Sequence, residues 1–404
     1  MSNEETANLQ EELDAENTIK EEYKLWRENC RFMYEFVSET ALKWPSITVQ
    51  WLPGHHKDDS NGLYESSLLL GTHTSGEDIN FLKVASTQLP ITKTEDSKVN
   101  SRIKITKKFK NNSEINRARY MSQDPNTVAT INGMGEVDIY KLDSPTKESV
   151  HHLTHHTDNG YGLSWNTFKR GYLATGADDK KVQVIEIAGE RVTTIIKLED
   201  HNDIVNDVKW HPFNENLLGS VSDDKHFKIF DIRTSSKPVL EFYGDESKGI
   251  NTLSFSPFSS NLISIGNASS TINLLDFRQL SSEKGQSSGL LHTMMGHSDA
   301  ITSIEFSPHV DGIIASGSQD RRVMIWDLSK IGEEQVQEDA EDGCPELFMM
   351  HAGHTGGVTD LNWCPYKDWT LASVADDNIV HVWEISKTLL ISEATEEVES
   401  NELE

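Results

Sequence analysis

Six short apolar runs decide the fold: VDIYKL (137–142), VQVIEI (182–187), FKIFDI (227–232), INLLDF (272–277), VMIWDL (323–328) and VHVWEI (380–385). Their penultimate residues, Lys141, Glu186, Asp231, Asp276, Asp327 and Glu384, lie 45, 45, 45, 51 and 57 residues apart. Self-similarity at a near-fixed period means one supersecondary unit repeated around a shared core. Six residues before the residue in the Trp326 position stands Asp179, Asp224, Asp320 or Asp377 in four of the runs, and Met134 or Ser269 in the other two. Upstream of the runs lie INRARYMSQDP, YGLSWN, VNDVKWHPF, INTLSFSPF, ITSIEFSPH and VTDLNWCPY. Each alternates apolar and polar residues as a half-buried strand does, and most end in a turn.

This period and these marks are those of WD40 repeats. Gly296-His297 and Gly353-His354, with Asp200-His201 in the same phase, supply the histidines that bond across a blade to Asp, Ser/Thr and Trp. Buried polar groups need such partners. The blades with Met134 and Ser269 are expected to be held by packing alone. Six blades fall between Glu114 and Ser386, and WPSITVQWLP (44–53), LYESSLLLGTHT and FLKVASTQLP offer strands for a seventh. The expected fold is all-β, a seven-bladed propeller over 41–387 with an acidic insertion at 329–348. Closure into a ring removes exposed sheet edges.

Of 404 residues, 65 are acidic and 37 are Lys or Arg, a net charge of −28. Such a surface repels nucleic acid and anionic membrane and attracts basic partners, so direct DNA binding is not expected. The first 22 residues carry eight Asp/Glu and one Lys, and the last twelve carry six Glu and no Lys or Arg. Residues 1–17 and 388–404 therefore read as acidic disordered tails. The three cysteines, Cys30, Cys344 and Cys364, have no metal-ligand spacing. An odd number argues against a disulfide framework and for a reducing compartment, the cytoplasm and nucleus. Neither a secretory signal nor an 18-residue apolar span is visible.

Two features exceed what a propeller needs. Residues 18–40 read as a helix opened by a Thr18/Glu21 capping box. Ile19, Tyr23, Trp26, Cys30, Met33 and Val37 form one apolar stripe suited to docking on the propeller. Leu25, Phe32 and Phe36 form a second, free to meet something else or to lie under a loop. In the insertion, Asp339, Glu341 and Asp342 precede Leu347, Phe348, Met349 and Met350. Carboxylates beside adaptable methionines suit an amphipathic helix edged with Arg or Lys; a solvated connector leading into a strand fits equally.

The stretches EEYKLWRENCRFMYEFV…ALKWPSITVQWLP, LGTHTS, INRARYM, GYGLSWN and WDLSKIGEEQ…EDAEDG, with PELF and the following GHT, resemble the retinoblastoma-associated histone-binding WD40 proteins. The resemblance runs from about residue 19 to 385. ATINGMGEVDIY and SPHVDGIIASGSQD are similar to the fungal branch that serves type B histone acetyltransferases. The resemblance implies a side groove for the first helix of histone H4. Phe32, Met33, Phe36 and Val37 would form its helix wall, Asp339 and Asp342 would receive a histone Arg, and Leu347, Met349 and Met350 would line its floor. Cys344 stands where the family commonly has Pro. The resemblance also implies a site for the histone H3 tail on the propeller top. There Glu114, Asn116, Tyr161 and Asn251 match, whereas Asn159 and Asn206 replace Glu and Thr302 replaces Phe. Two lost carboxylates predict weak H3 capture.

No phosphate-cradling loop, nucleophile elbow or Cys/His nucleophile set is present. No catalytic residue, cofactor or metal is expected. His151, His152, His155 and His156 lack the further ligand that would complete a structural metal set. The expected role is a non-catalytic subunit that presents the H4 tail to the catalytic subunit of a type B acetyltransferase. The alternatives are a histone-binding subunit of assembly, deacetylase or remodelling complexes, and a ubiquitin-ligase adaptor read from the Arg233 and Arg278 that follow two strand ends.

Overall fold

The computed structural model describes residues 3–91, 102–234, 236–244, 248–281, 288–335 and 343–391. They form helix α1 (Asn3–Met33), strand β1 (Tyr34–Ala41) and seven antiparallel sheets arranged as propeller blades. Each quoted run is the third strand of its blade, as at Val323–Asp327 and Ile379–Ile385. In three of them the Asp near its end caps the turn that follows: Asp231 accepts from Arg233 N at 3.0 Å, Asp276 from Arg278 N at 2.9 Å and Asp327 from Ser329 N at 2.9 Å. The first blade takes its outermost strand from Lys104–Asn111, beyond the stretches read for it in sequence.

The helix expected over 18–40 is corrected at both ends. It begins at Asn3, inside the segment expected to be a disordered tail, and stops at Met33. Tyr34–Ala41 is instead the outer strand of the seventh blade, paired antiparallel with Ile379–Ile385 from Tyr34↔Ile385 to Ala41↔Ile379. The blade thus combines both ends of the propeller, and this pairing closes the ring. The run CRFMYEFV has helical spacing in isolation, but an open strand edge overrides local preference. At the other end, residues 387–391 are helical and Leu389 and Leu390 pack on the seventh blade's core. Only 392–404 of the expected tail lie outside the described residues.

Inside the blades the polar marks work as expected and extend further. In the sixth blade His297 meets Asp320 and Ser316 at 2.7 Å each, and Trp326 Nε1 donates to Ser316. The same set recurs at His354, Asp377, Ser373 and Trp383. His156 joins Asp179 and Thr175 in the third blade. It lies 23 residues before its Asp, as His201, His297 and His354 lie before theirs. The blade with Met134 is not held by packing alone. Asn111 donates to Thr130, Asp138 and Tyr140, and Asn132 donates back to Asn111. In the blade with Ser269, apolar Ile265 and Leu275 are buried together, and Thr293 Oγ1 also donates to Asn273 Oδ1 between its two outer strands, so packing does not act alone there either.

Four blades meet at one channel carboxylate. Asp360 accepts from Thr48 Oγ1, Val49 N, Ser303 Oγ and Arg119. α1 docks beside β1 through a buried chain. Trp26 Nε1 donates to Tyr34 OH at 2.9 Å, Tyr34 OH meets His351 Nδ1 at 2.8 Å, and His351 Nε2 meets His381 Nδ1 at 3.1 Å. Gly353 lies beneath the indole, where a Cβ would stand 2.6 Å from the Trp26 ring.

Burial holds both imidazoles well below the usual histidine range, so they stay neutral when folded. The unfolded chain protonates them below about pH 6.5 and then binds more protons than the folded chain. Their contribution is therefore complete above that value and is lost as pH falls through it. Urea unfolding between pH 7.5 and 5.5 should show this loss. His381→Gln should flatten the slope by up to about 1.4 kcal/mol per pH unit; equal slopes in the two proteins would contradict the account.

Candidate functional site

The first candidate surface lies where α1 passes the sixth and seventh blades. The helix is anchored by Glu22, which pairs with Arg321 at 3.1 Å and Arg322 at 2.7 Å, and by Tyr23 and Arg27, which both reach Glu39. Tyr23, Trp26, Cys30 and Met33 face the core, as the first stripe predicts. Leu25 is 61% exposed and Phe32 60%. That leaves the second stripe open on the helix, with the Arg31 guanidinium 4.4 Å above the Phe32 ring.

The predicted groove residues separate. Met33, Val37 and Met349 share one cluster with Phe348, a residue outside the wall and floor sets read from the sequence. Met349 is 5% exposed and belongs to the core rather than to a groove floor. Met350, next along the outer strand Leu347–His351, is exposed. Leu347 packs with Cys344 on the neighbouring cluster. Phe36 and Val37 are strand residues, not part of the helix wall. Phe36 packs instead on the buried cluster shared by the first and seventh blades. The open apolar surface thus reduces to Leu25, Phe32 and Met350, backed by half-buried Met33 and Phe348. Asp339 and Asp342 lie outside the described residues. The described ends of their insertion are fixed at the same edge of the sixth blade. Asp327 caps Leu328–Lys330, and Cys344 Sγ lies 3.4 Å from Met295 O.

The second candidate surface is the channel mouth at which the inner strands begin. A cavity of about 450 Å³ there is lined by Asn116, Tyr161, Asn206, Asp223, Asn251 and Thr302, among others. Glu114 sits one residue before an inner strand, its carboxylate held below the usual range by the Ser113 hydroxyl. Four residues at the second position of their inner strands bond to the next blade. Asn116 donates to Gly160 O, Asn206 to Ile250 O, Asn251 to Ile301 O and Thr302 to Val358 O, at 2.6–2.9 Å. Amides and hydroxyls here staple blades together, a task that an ionised carboxylate cannot perform because it only accepts. Asn159 bridges Asn116 and Tyr161 OH. The mouth is still acidic. Burial, with Asp158 and Asp223 nearby, pushes Asp178 up to about 6, and burial also raises Asp376.

The four clustered histidines disperse. His151 turns to Gly189 O, His152 to Asp138, and His155 and His156 to Thr175. His351, His354 and His381 do converge. His354 spends both nitrogens on Asp377 and Ser373, and His351 spends both on Tyr34 and His381, so of the three rings His381 Nε2 alone lacks a partner. Arg233 and Arg278 fold back onto Asp231 and Asp276.

Residues 21–91 match the family model described as histone-binding protein RBBP4 or a subunit of the CAF1 complex. Residues 192–231, 288–327 and 346–384 match the WD domain, G-beta repeat. The chain is 62% identical to "Histone acetyltransferase type B subunit 2" of Debaryomyces hansenii, covering 98% of this chain and 97% of that protein. It is similarly 62% identical to the Candida albicans protein of that name, over 94% and 96% of the two chains. To the Schizosaccharomyces pombe protein it is 40% identical, over 94% and 93%.

Burial separates the candidate residues by what their loss should do. Met349→Ala should cost about 2–5 kcal/mol of stability, as core methionines do. Asn251→Ala should cost about 1 kcal/mol, and Phe32→Ala should leave the urea midpoint unchanged. A Phe32→Ala loss as large as that of Met349→Ala would show that Phe32 is covered.

Proposed function

The chain belongs to the family of histone acetyltransferase type B subunit 2 proteins, and from that premise we propose that it is a non-catalytic, histone-binding subunit that holds histone H4 and presents its tail to a catalytic partner. The carrying observation is the open apolar face of α1. Leu25 and Phe32 remain more than half exposed on a helix whose other face is locked into the core. An uncovered apolar stripe of this kind favours a partner. An amphipathic helix laid against Phe32 and Met350 would bury both. Asp339 and Asp342, in the insertion at that blade edge, would pair with its basic side chains. The net charge of −28 favours capture of a cationic protein such as a histone.

The channel mouth supports a second, weaker contact, with the basic tail of H3 as part of an H3–H4 unit. Asp178, Asp223 and Asp376 provide acidity there although Asn206 is taken up in stapling. This offsets in part the weakness predicted from the two replaced carboxylates.

Titration of a labelled peptide of the first H4 helix tests the groove. Asp339→Ala with Asp342→Ala, or Phe32→Asp alone, should weaken binding at least tenfold with the fold intact. Tyr161→Ala should change it less than twofold. Unchanged affinity in the first two variants would refute the side groove, and a large loss in the third would move the H4 site to the mouth.

A further inference from the structure

The outer strand of the first blade departs from the charge of the rest of the molecule. Between Arg102 and Lys110 the chain carries Arg102, Lys104, Lys107, Lys108 and Lys110 and no carboxylate. All five are exposed. Among the described residues none of them is in an ion pair; Lys107 instead donates to Leu142 O at 2.7 Å. Lys108 stands directly across from Lys83 on the neighbouring strand. Like charges so placed repel. Lys83 is 8% exposed, and its burial and the nearby Lys108 lower its affinity for a proton. Asp78, the carboxylate closest to offsetting this, is occupied by Lys43 and Trp44. A buried, unpaired lysine facing a second lysine is costly unless an anion arrives.

The strand also offers backbone. It ends its sheet, hydrogen-bonded on one side to Asn80–Pro90. At Lys110 the outward N–H donates to Lys147 O and the carbonyl accepts from Tyr140 OH. Among the described residues the open edge therefore runs from Lys104 to Lys108, with an irregularity between Ile105 and Lys107, about 16 Å at strand rise. An open edge presents unpaired N–H and C=O groups to which an extended segment can add.

We infer that this edge is a docking strand for a short, extended, acidic segment of a partner protein. The segment would add beside Lys104–Asn111 as a further strand and place carboxylates against Lys108 and Lys110, which share the face of Lys83. A nucleic-acid duplex carries a charge about every 1.7 Å and would overhang the patch onto an acidic surface. A peptide of five or six residues feels mainly the charges within about 8 Å of it at physiological salt. This surface belongs to the first blade, apart from both candidate histone sites.

Fluorescence anisotropy of labelled (Glu-Thr)₄ on the full chain tests the inference. Binding should fall at least tenfold in Lys108→Glu/Lys110→Glu. Folding of this variant is favoured because a carboxylate at position 108 would oppose Lys83, and its urea midpoint checks the fold. Binding should fall as far with a probe N-methylated at alternate amides, and should not change when the six glutamates of 393–404 become glutamine. No binding to the parent protein, or undiminished binding to the reversed strand, overturns the inference. Equal binding of the N-methylated probe reduces it to unspecific attraction and also overturns it. Stronger competition by a DNA duplex, or tenfold tighter binding once the tail is neutralised, assigns the edge to nucleic acid or to the chain's own terminus and likewise rejects the partner peptide.

Discussion

The structure depends on one pairing, that of Tyr34–Ala41 with Ile379–Ile385. A propeller blade contacts only its neighbours, so the ring is as secure as its closing seam. Here the seam joins residues about 345 apart in the chain, and Asp360 reinforces it at the centre by binding groups from the first, second and sixth blades. The cost of ordering so distant a contact is met once, by eight residues of strand and the aromatic core behind them.

The same seam creates the helix face proposed to bind histone. β1 starts at Tyr34, whose hydroxyl links Trp26 of α1 to His351. Closing the ring therefore fixes the helix, and fixing the inner stripe on the core leaves Leu25 and Phe32 outward. Stability and recognition divide the helix between them: Trp26 is 4% exposed and Phe32 is 60%. Neutral histidines beneath the indole tie that arrangement to pH.

Charge is sorted by blade rather than spread evenly. The channel mouth gathers Asp178, Asp223 and Asp376, while the first blade's outer strand gathers lysines. Net charge describes the long-range field and misses this sorting. In the same way, Asn206 looks like a lost acidic contact when read alone. In the fold it is a gained hydrogen bond between blades.

The sequence by itself determined the repeat, the blade count, the His–Asp polar sets and the inner stripe of the helix. These follow from periods of two and 3.6 residues and from fixed spacings within one blade, which are local and so are written in the chain. It also marked the two segments outside the blades. Only the tertiary structure decided that Phe36 and Val37 lie on a strand, that Met349 is core and that Asn116, Asn206 and Asn251 staple blades. Each of those outcomes depends on a partner far away in sequence. CRFMYEFV satisfies helical spacing until the open edge of Ile379–Ile385 is present to pair with it, and hydrogen bonding across that edge then outweighs the local preference.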